Sequence, residues 1–229
     1  MRFIFNKISG KKKKEDVIVI VSGLPRSGTS LMMQMLEAGG MQVVTDNIRK
    51  ADDDNPRGYY EFEKVKKIEE DSSWLKDCRG KAFKMVSELL YRLPEDKEYK
   101  VIFMRREMKE VLASQRVMLQ RSGREGSQVK DEEMAGKFRK HLRDVESWLG
   151  RQPNIDVLYV KYNDVIQEPL RHAESVNRFL GGWLDEEKMA QAVEASLYRQ
   201  SIPFAAQGEG YSQDEEEKIR ERLQDLGYM

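Results

Sequence analysis

The residues with the clearest chemical meaning lie in a glycine-rich turn, GLPRSGTS, that begins at Gly23. Gly23 and Gly28 permit backbone conformations that other residues avoid, so the N–H groups of this turn can curl around an anion. Arg26 can bind an anionic oxygen with its planar guanidinium, and the hydroxyl groups of Thr29 and Ser30 can donate further hydrogen bonds. The pattern therefore predicts a binding site for a phosphate or sulfate group.

The segments on either side of the turn support this interpretation. Val17 to Val21 is an unbroken β-branched run, which is typical of a strand buried in a parallel sheet. Leu31 to Ala38 predicts a helix that begins near Thr29, and the partial positive charge at its N-terminus would face the anion. A plain strand–turn–helix junction is the alternative. It is disfavoured because the strand, the spacing, the cation and the helix occur together.

The turn differs from the ATP-type P-loop, G-x-x-x-x-G-K-[ST], at one informative position. Thr29 stands where that pattern has lysine, and the cation lies earlier, at Arg26. This shift weakens the case for ATP hydrolysis or kinase chemistry. A P-loop kinase or NTPase that uses ATP and Mg²⁺ stays as one alternative, and a nucleotide-binding protein without catalysis stays as another.

The sequence LPRSGTSLM closely resembles the 5′-phosphosulfate loop of sulfotransferases that use 3′-phosphoadenosine 5′-phosphosulfate (PAPS). In that family the cation precedes Ser-Gly-Thr, as Arg26 does here. The resemblance, which includes the bacterial-type branch, implies that the protein binds PAPS and transfers its sulfuryl group to a hydroxyl or an amine. The residues that would contact the 5′ end of PAPS are Gly23, Arg26, Ser27, Gly28, Thr29 and Ser30.

A second anion site is predicted after the apolar run Lys100 to Met104, which has the pattern of a buried strand. Arg105 and Arg106 follow this run, and two adjacent arginines are costly to hold together unless an anion lies nearby. One or both could instead be surface residues. Sulfotransferases have an arginine after a strand and a serine eight residues later in their 3′-phosphate site. The resemblance assigns these roles to Arg106 and Ser114, and not to Arg105.

One candidate for the transfer step is Lys84, near the end of the predicted strand Ala82 to Val86. It occupies the lysine position of a Lys-Thr-His segment in cytosolic sulfotransferases, although it could be an ordinary surface lysine. The histidine of that segment aligns with Val86, which cannot accept a proton. The only histidines, His141 and His172, fall on predicted helices far from the motifs, and we expect surface or helix-face positions for both.

A carboxylate must therefore act if the acceptor needs a general base. Glu61 is the candidate, because GYYEFEK resembles a Gly-aromatic-aromatic-Glu segment of bacterial sulfotransferase-like proteins. The alternative is that Glu61 is only a carboxylate in the first turn of a helix.

Two segments near the C-terminus add to the resemblance. VLYVKYNDVIQEPLRHAESVNRFLG is similar to the late strand, Tyr-x-Asp turn and helix of these proteins. In SLYRQ, Arg199 could close over the nucleotide. The Arg-Lys-Gly segment with which many cytosolic sulfotransferases hold the 3′-phosphate is absent, so the nucleotide would depend on Arg106, Ser114 and Arg199.

Short apolar runs and longer amphipathic segments alternate along the chain. They predict a three-layer α/β/α P-loop fold, in which helices cover both faces of a central, mainly parallel sheet. The anion motifs follow predicted strands, at the edge where such sheets bind ligands. The other predicted elements are strands at Val43–Val44 and Asp156–Val160, and helices at Phe62–Glu70, Ser87–Leu93, Met108–Leu119, Asp131–Leu149, Leu170–Leu180, Glu186–Leu197 and, at the surface, Asp214–Leu226.

Composition sets the remaining limits. The 229 residues predict one domain over residues 17–229, after a basic, flexible tail over residues 1–16. Lys plus Arg (40) equals Asp plus Glu (40), which argues against general nucleic-acid binding. A single cysteine, Cys78, and the lack of a long apolar run predict a cytoplasmic protein without an integral membrane segment. No metal is implied. The acceptor pocket would involve the loops Asp46–Gly58 and Gly123–Lys130, which do not identify the acceptor.

Overall fold

The computed structural model describes residues 3–4, 17–46, 60–121, 131–193 and 220–227. Six strands form one sheet, namely β1 (Phe3–Ile4), β2 (Ile18–Gly23), β3 (Gln42–Val43), β4 (Lys81–Val86), β5 (Tyr99–Arg105) and β6 (Ile155–Lys161). Their order is β1-β6-β5-β2-β4-β3. Strands β2 to β6 run parallel, and the short β1 pairs antiparallel with β6 at one edge. The mainly parallel sheet predicted from the sequence is confirmed.

The predicted helices lie where the sequence places them, but two of them differ in type. The described residues contain α1 (Thr29–Ala38), α2 (Met108–Arg121), α3 (Asp131–Leu149), α4 (Tyr162–Gln167), α5 (Pro169–Leu180) and α6 (Glu186–Gln191). The segments predicted as helices at 62–70 and 87–93 are instead 3-10 helices, Glu63–Lys67 and Ser87–Arg92, and a third 3-10 helix covers Ser73–Cys78. In the first of these only Val65 is buried, so little apolar contact favours a longer helix.

Separate apolar layers cover the two faces of the sheet. Ile18 and Ile20 of β2 belong to one layer, whereas Val19 and Val21 belong to the other, as the alternation along a strand requires. Residues of α2 and α3 complete the first layer, and residues of α1, α5 and α6 complete the second. The three-layer α/β/α fold predicted from the sequence is therefore confirmed.

The carboxyl ends of β2, β4 and β5 meet at one edge of the sheet. Gly23 lies in register with Val86 on one side and with Met104 on the other. The glycine-rich turn, Ser87 and Arg106 follow directly after these strands. The predicted motifs therefore share the edge at which ligands bind in sheets of this kind.

The C-terminal segment differs from its prediction as a surface helix. Residues 220–225 are helical, but Arg222, Leu223 and Leu226 are buried. Leu223 joins an apolar cluster with Leu24 of the glycine-rich turn and with residues of α2 and α3. The surface prediction was wrong for this part because residues three apart on a helix share one face, which here packs against the protein.

Some predictions concern residues that the structure does not describe. Arg199, the candidate acceptor loops at 47–58 and 123–130, and residues 1–2 and 5–16 of the N-terminal tail lie outside the described residues. Within the described part of the chain, no helix has the length and apolar character needed to cross a membrane.

Candidate functional site

The glycine-rich turn adopts backbone conformations that only certain residues allow. Gly23 has a φ of 148°, and a Cβ atom there would lie 2.5 Å from the Met104 carbonyl oxygen. Gly28 has a φ of 99°, and a Cβ atom there would lie 2.4 Å from Cδ2 of Tyr162. Arg26 adopts a φ of 73° although it has a side chain. Such a conformation costs about 1–3 kcal/mol and is found mainly at functional sites.

Hydrogen bonds fix the turn against its surroundings. The Ser27 N–H donates to the Leu24 carbonyl (3.1 Å), and Nε2 of the buried Gln115 donates to the Pro25 carbonyl (3.1 Å). Gly28 is the N-cap of α1, so no side chain at that position caps the N–H groups of the first turn. An anion can take that place.

The Ser27 hydroxyl is a further candidate ligand group within the turn. Ser27 is buried, and its Oγ has no hydrogen-bond partner among the described residues. A buried hydroxyl without a partner is costly, so a bound oxyanion would satisfy it.

The two predicted anion motifs are in direct contact. Nε of Arg26 donates to Oγ of Ser114 (2.8 Å), and Nη1 of Arg106 donates to the Arg26 carbonyl (3.2 Å). Arg26 therefore contacts both residues that the sequence assigned to the second anion site. The structure brings the glycine-rich turn, Arg106 and Ser114 together, as one ligand with two anionic ends would require.

The adjacent arginines have different surroundings. Arg106 is nearly buried, its Nε donates to Oε2 of Glu110 (2.9 Å), and its Cζ lies 4.4 Å from the ring centre of Tyr162. Arg105 forms two contacts with Glu146, from Nε to Oε1 (2.8 Å) and from Nη2 to Oε2 (2.5 Å). Only Arg106 of this pair contacts the glycine-rich turn through a hydrogen bond in the described structure.

The two candidates for the transfer step form an ion pair. Nζ of Lys84 lies 3.7 Å from Oε1 of Glu61, and the two side chains are only 5% and 9% exposed. Lys84 is thus not the surface lysine that the sequence left open. The Glu61 carbonyl accepts hydrogen bonds from the Asp46 N–H (3.1 Å) and Thr45 Oγ1 (2.9 Å). Glu61 precedes the 3-10 helix Glu63–Lys67 and does not lie within it.

Both histidines lie on helices, as predicted, but neither is at the surface, because both are buried. Nε2 of His141 lies 2.8 Å from Oγ of Ser87, which directly follows β4, and Nδ1 lies 3.3 Å from Oε2 of Glu88. Burial lowers the pKa of His141 to about 4, although Asp144 opposes the shift. His141 is therefore neutral at pH 7. Burial also lowers the pKa of His172.

Sequence reasoning missed several residues around the site. Glu110 lies four residues after Arg106, in the first turn of α2, and this short separation could have identified the pair. No local pattern connects Ser87 with His141 or Arg106 with Tyr162, because these contacts join segments more than 50 residues apart. Within the described part of the chain, no group of three or more His, Cys, Asp or Glu side chains has an arrangement that could hold a metal ion.

Comparison with known proteins gives a family and a fold. The family model described as "Sulfotransferase domain" matches residues 15–223. No curated protein matches the chain. The crystal structure of mouse sulfotransferase SULT7A1 complexed with PAP is 16% identical, with a TM-score of 0.51, and the match covers 84% of this chain and 69% of that one.

A second solved structure, the sulfotransferase domain from the Synechococcus PCC 7002 olefin synthase, is 14% identical with a TM-score of 0.50. That match covers 96% of this chain and 98% of the other. At these identities the two structures support the fold alone. The family model, in contrast, spans most of the sequence and confirms the resemblance carried by the glycine-rich turn. The chain belongs to the sulfotransferase domain family.

Proposed function

We propose that the protein is a sulfotransferase that binds PAPS at the carboxyl edge of β2, β4 and β5 and transfers the sulfuryl group to a hydroxyl or amine acceptor. The observation that carries the proposal is the pair of contacts at Arg26, to Ser114 (2.8 Å) and from Arg106 (3.2 Å). A nucleotide with anionic groups at both its 5′ and 3′ ends fits two adjoining cationic sites. An ATP-type ligand has no 3′-phosphate for the second.

Each end of the nucleotide has its own set of donors in this proposal. The amides of the glycine-rich turn, Arg26, Ser27, Thr29 and Ser30 bind the phosphosulfate. Arg106 and Ser114 bind the 3′-phosphate, and Arg199 adds to the nucleotide contacts. Because the glycine-rich turn and Arg106 are held in place by the hydrogen bonds described above, their donors can stabilise the negative charge that develops during transfer without a metal ion.

Transfer then needs a group that accepts the proton of the acceptor. A bond forms between the acceptor oxygen or nitrogen and sulfur, while the bond from sulfur to the 5′-phosphate oxygen breaks. Glu61 takes the proton, and Lys84, 3.7 Å away, stabilises the charge on the transferred or leaving oxygens. Glu61 fits this role because Val86 occupies the position at which the cytosolic enzymes have histidine.

The remaining parts of the proposal rest on the sequence. They are a single domain over residues 17–229, which the family match to residues 15–223 supports, and a cytoplasmic location, which the single cysteine supports. The acceptor is a molecule with a hydroxyl or amine group. The charge balance of the chain gives no reason to propose nucleic acid.

Isothermal titration calorimetry with adenosine 3′,5′-bisphosphate and with ATP–Mg²⁺ tests the donor assignment. We expect the bisphosphate to bind more tightly. Arg106→Ala should weaken its binding by at least about 10-fold, since a lost hydrogen bond to a charged group costs about 1.5–3 kcal/mol. Arg105→Ala is the matched control and should have little effect. Tighter binding of ATP–Mg²⁺, with turnover, would instead indicate a kinase or NTPase.

A further variant, at Glu61, separates nucleotide binding from sulfuryl transfer. Glu61→Gln should leave bisphosphate affinity within about 2-fold and reduce sulfuryl transfer from PAPS by on the order of 100-fold, as loss of a general base does. Transfer is measured with radiolabelled PAPS and a panel of alcohols, sugars, phenols and amines. Equal loss of binding in the Arg106 and Glu61 variants would contradict this division of roles. Tight bisphosphate binding without transfer to any acceptor would indicate a protein that has lost catalysis.

A further inference from the structure

A buried carboxylate lies beside the proposed 3′-phosphate site. Glu110 is 1% exposed, and its two oxygens contact different parts of the chain. Oε2 accepts a hydrogen bond from Nε of Arg106 (2.9 Å), and Oε1 accepts one from Nδ2 of Asn163 (3.3 Å). Asn163 lies in the first turn of α4, directly after Tyr162. Glu110 therefore connects Arg106 to an element that follows a different strand.

Arg106 is restrained on its other sides as well. Its Nη1 donates to the Arg26 carbonyl, and its guanidinium lies over the ring of Tyr162. The Tyr162 ring is itself held against the backbone of Gly28, where a Cβ atom would lie 2.4 Å from Cδ2. Three contacts therefore hold the guanidinium of Arg106, namely those with the Arg26 carbonyl, the Tyr162 ring and the Glu110 carboxylate. Glu110 provides the contact to Nε.

The neighbouring arginine shows how a purely structural pair differs. Glu146 binds Arg105 through both Nε and Nη2, which is the bidentate arrangement that uses one side of the guanidinium completely. Glu110 binds Arg106 through Nε, and Nη2 of Arg106 has no partner among the described residues although the side chain is only 9% exposed. This donor is therefore available to an anionic ligand.

We propose that Glu110 is a positioning residue for this reaction, which binds Nε of Arg106 so that Nη2 is directed at the 3′-phosphate of the nucleotide. This inference rests on the proposed function, because it takes Arg106 as the residue that binds the 3′-phosphate. A positioning role for Glu110 makes a different prediction from a role in which its carboxylate only neutralises the charge of Arg106. A carboxylate that only balanced charge would weaken anion binding, and its removal would strengthen it.

The test compares two changes at this position. Glu110→Gln keeps an oxygen that can accept from Nε, whereas Glu110→Ala removes it. Each variant is titrated with adenosine 3′,5′-bisphosphate and with adenosine 5′-phosphate. The ratio is the dissociation constant of the monophosphate divided by that of the bisphosphate, and it measures recognition of the 3′-phosphate alone. Glu146→Gln and Glu146→Ala, at the carboxylate that binds Arg105, are the matched controls.

We expect Glu110→Gln to keep the ratio within about 3-fold of wild type and Glu110→Ala to reduce it by about 10-fold or more, the usual effect of losing a charged hydrogen bond. Neither Glu146 variant should change the ratio. A ratio for Glu110→Ala that equals or exceeds the wild-type value would overturn the proposal. So would an equal reduction in Glu146→Ala.

Arg106→Ala distinguishes this failure from failure of the proposed function. If Arg106→Ala leaves the ratio unchanged, the 3′-phosphate assignment itself is wrong. If Arg106→Ala lowers the ratio and Glu110→Ala does not, only the positioning role is wrong. Should Glu110→Ala not fold, as judged by thermal melting, Asn163→Ala replaces it. That change keeps the carboxylate and removes its second contact, so we expect a smaller loss of about 3-fold, and an unchanged ratio would overturn the proposal.

Discussion

At the scale of single residues, the charged groups of this site are buried beside partner residues. A sequence can predict such a pair when the partner is close along the chain, but not when the fold brings it from a distant segment. Arg106 and Ser114 could be predicted because their spacing is local and resembles a family pattern. The contact between Lys84 and Glu61 could not, since it joins residues 23 positions apart through the fold. His141 was placed on a helix correctly, but its burial beside Ser87 depends on how α3 packs, which composition does not show.

The buried His141 makes a prediction about acid stability. Its pKa is about 4 in the folded protein and near 6.5 in an unfolded chain, so the unfolded state binds more protons between these values. Stability should therefore fall as the pH drops from about 6.5 to 4. We expect wild type to lose about 2–3 kcal/mol more than His141→Gln over this interval.

Urea unfolding at pH 7, 5.5 and 4 measures this difference. The charged or titratable groups around the imidazole are Glu88, Asp144 and Tyr91, and they are the same in both proteins. Any contribution from His172 also cancels in the comparison. Identical loss of stability in wild type and variant would show that His141 is not buried in its neutral form.

At the scale of helices and strands, hydrophobic patterns predicted where elements lie, and tertiary contacts decided their details. The predicted helix Asp131–Leu149 is observed with the same bounds as α3, because its apolar residues recur at helical spacing. The C-terminal helix was expected at the surface, yet Nε of the buried Arg222 contacts Oε1 of Gln115 (3.4 Å). Gln115 in turn donates to the Pro25 carbonyl, so this helix supports the glycine-rich turn.

Leu223→Ala tests that support. Leu223 is 2% exposed and shares an apolar cluster with Leu24 of the turn. We expect the free energy of unfolding to fall by about 2–4 kcal/mol, as for other buried Leu→Ala changes, and bisphosphate binding to weaken because Leu24 loses its packing. Urea unfolding and calorimetry measure the two effects. Leu170→Ala, at a residue that is 47% exposed, is the control and should change neither.

A loss of stability in Leu223→Ala with unchanged affinity would show that the C-terminal helix stabilises the fold but not the turn.

At the scale of the whole molecule, the architecture could be predicted because it follows from a few general rules. Buried β-branched runs separated by helices give a parallel sheet, and the carboxyl ends of its strands form one ligand-binding edge. The orientation of each arginine could not be predicted, because it depends on partners from α2, α3 and α4.

Ligand binding should stabilise the entire fold. A ligand at 100 times its dissociation constant raises the free energy of unfolding by about 2.7 kcal/mol when it does not bind the unfolded chain. For a protein of this size, that corresponds to a rise in melting temperature of about 5–10 °C. We expect adenosine 3′,5′-bisphosphate to produce this rise in differential scanning fluorimetry, with sodium sulfate at equal ionic strength as the control. An equal rise with sulfate would show a non-specific anion effect.

The double contact at Arg26 means that the two ends of the site are thermodynamically coupled. Its side chain binds Ser114, its carbonyl binds Arg106, and its own backbone forms part of the glycine-rich turn. An anion that displaces the Ser114 contact or pulls on Arg106 must also alter the conformation offered to the opposite end. The binding free energies of the two ends of a nucleotide should consequently be non-additive. The affinity of a fragment that carries only one end would therefore not equal the contribution of that end to binding of the intact nucleotide.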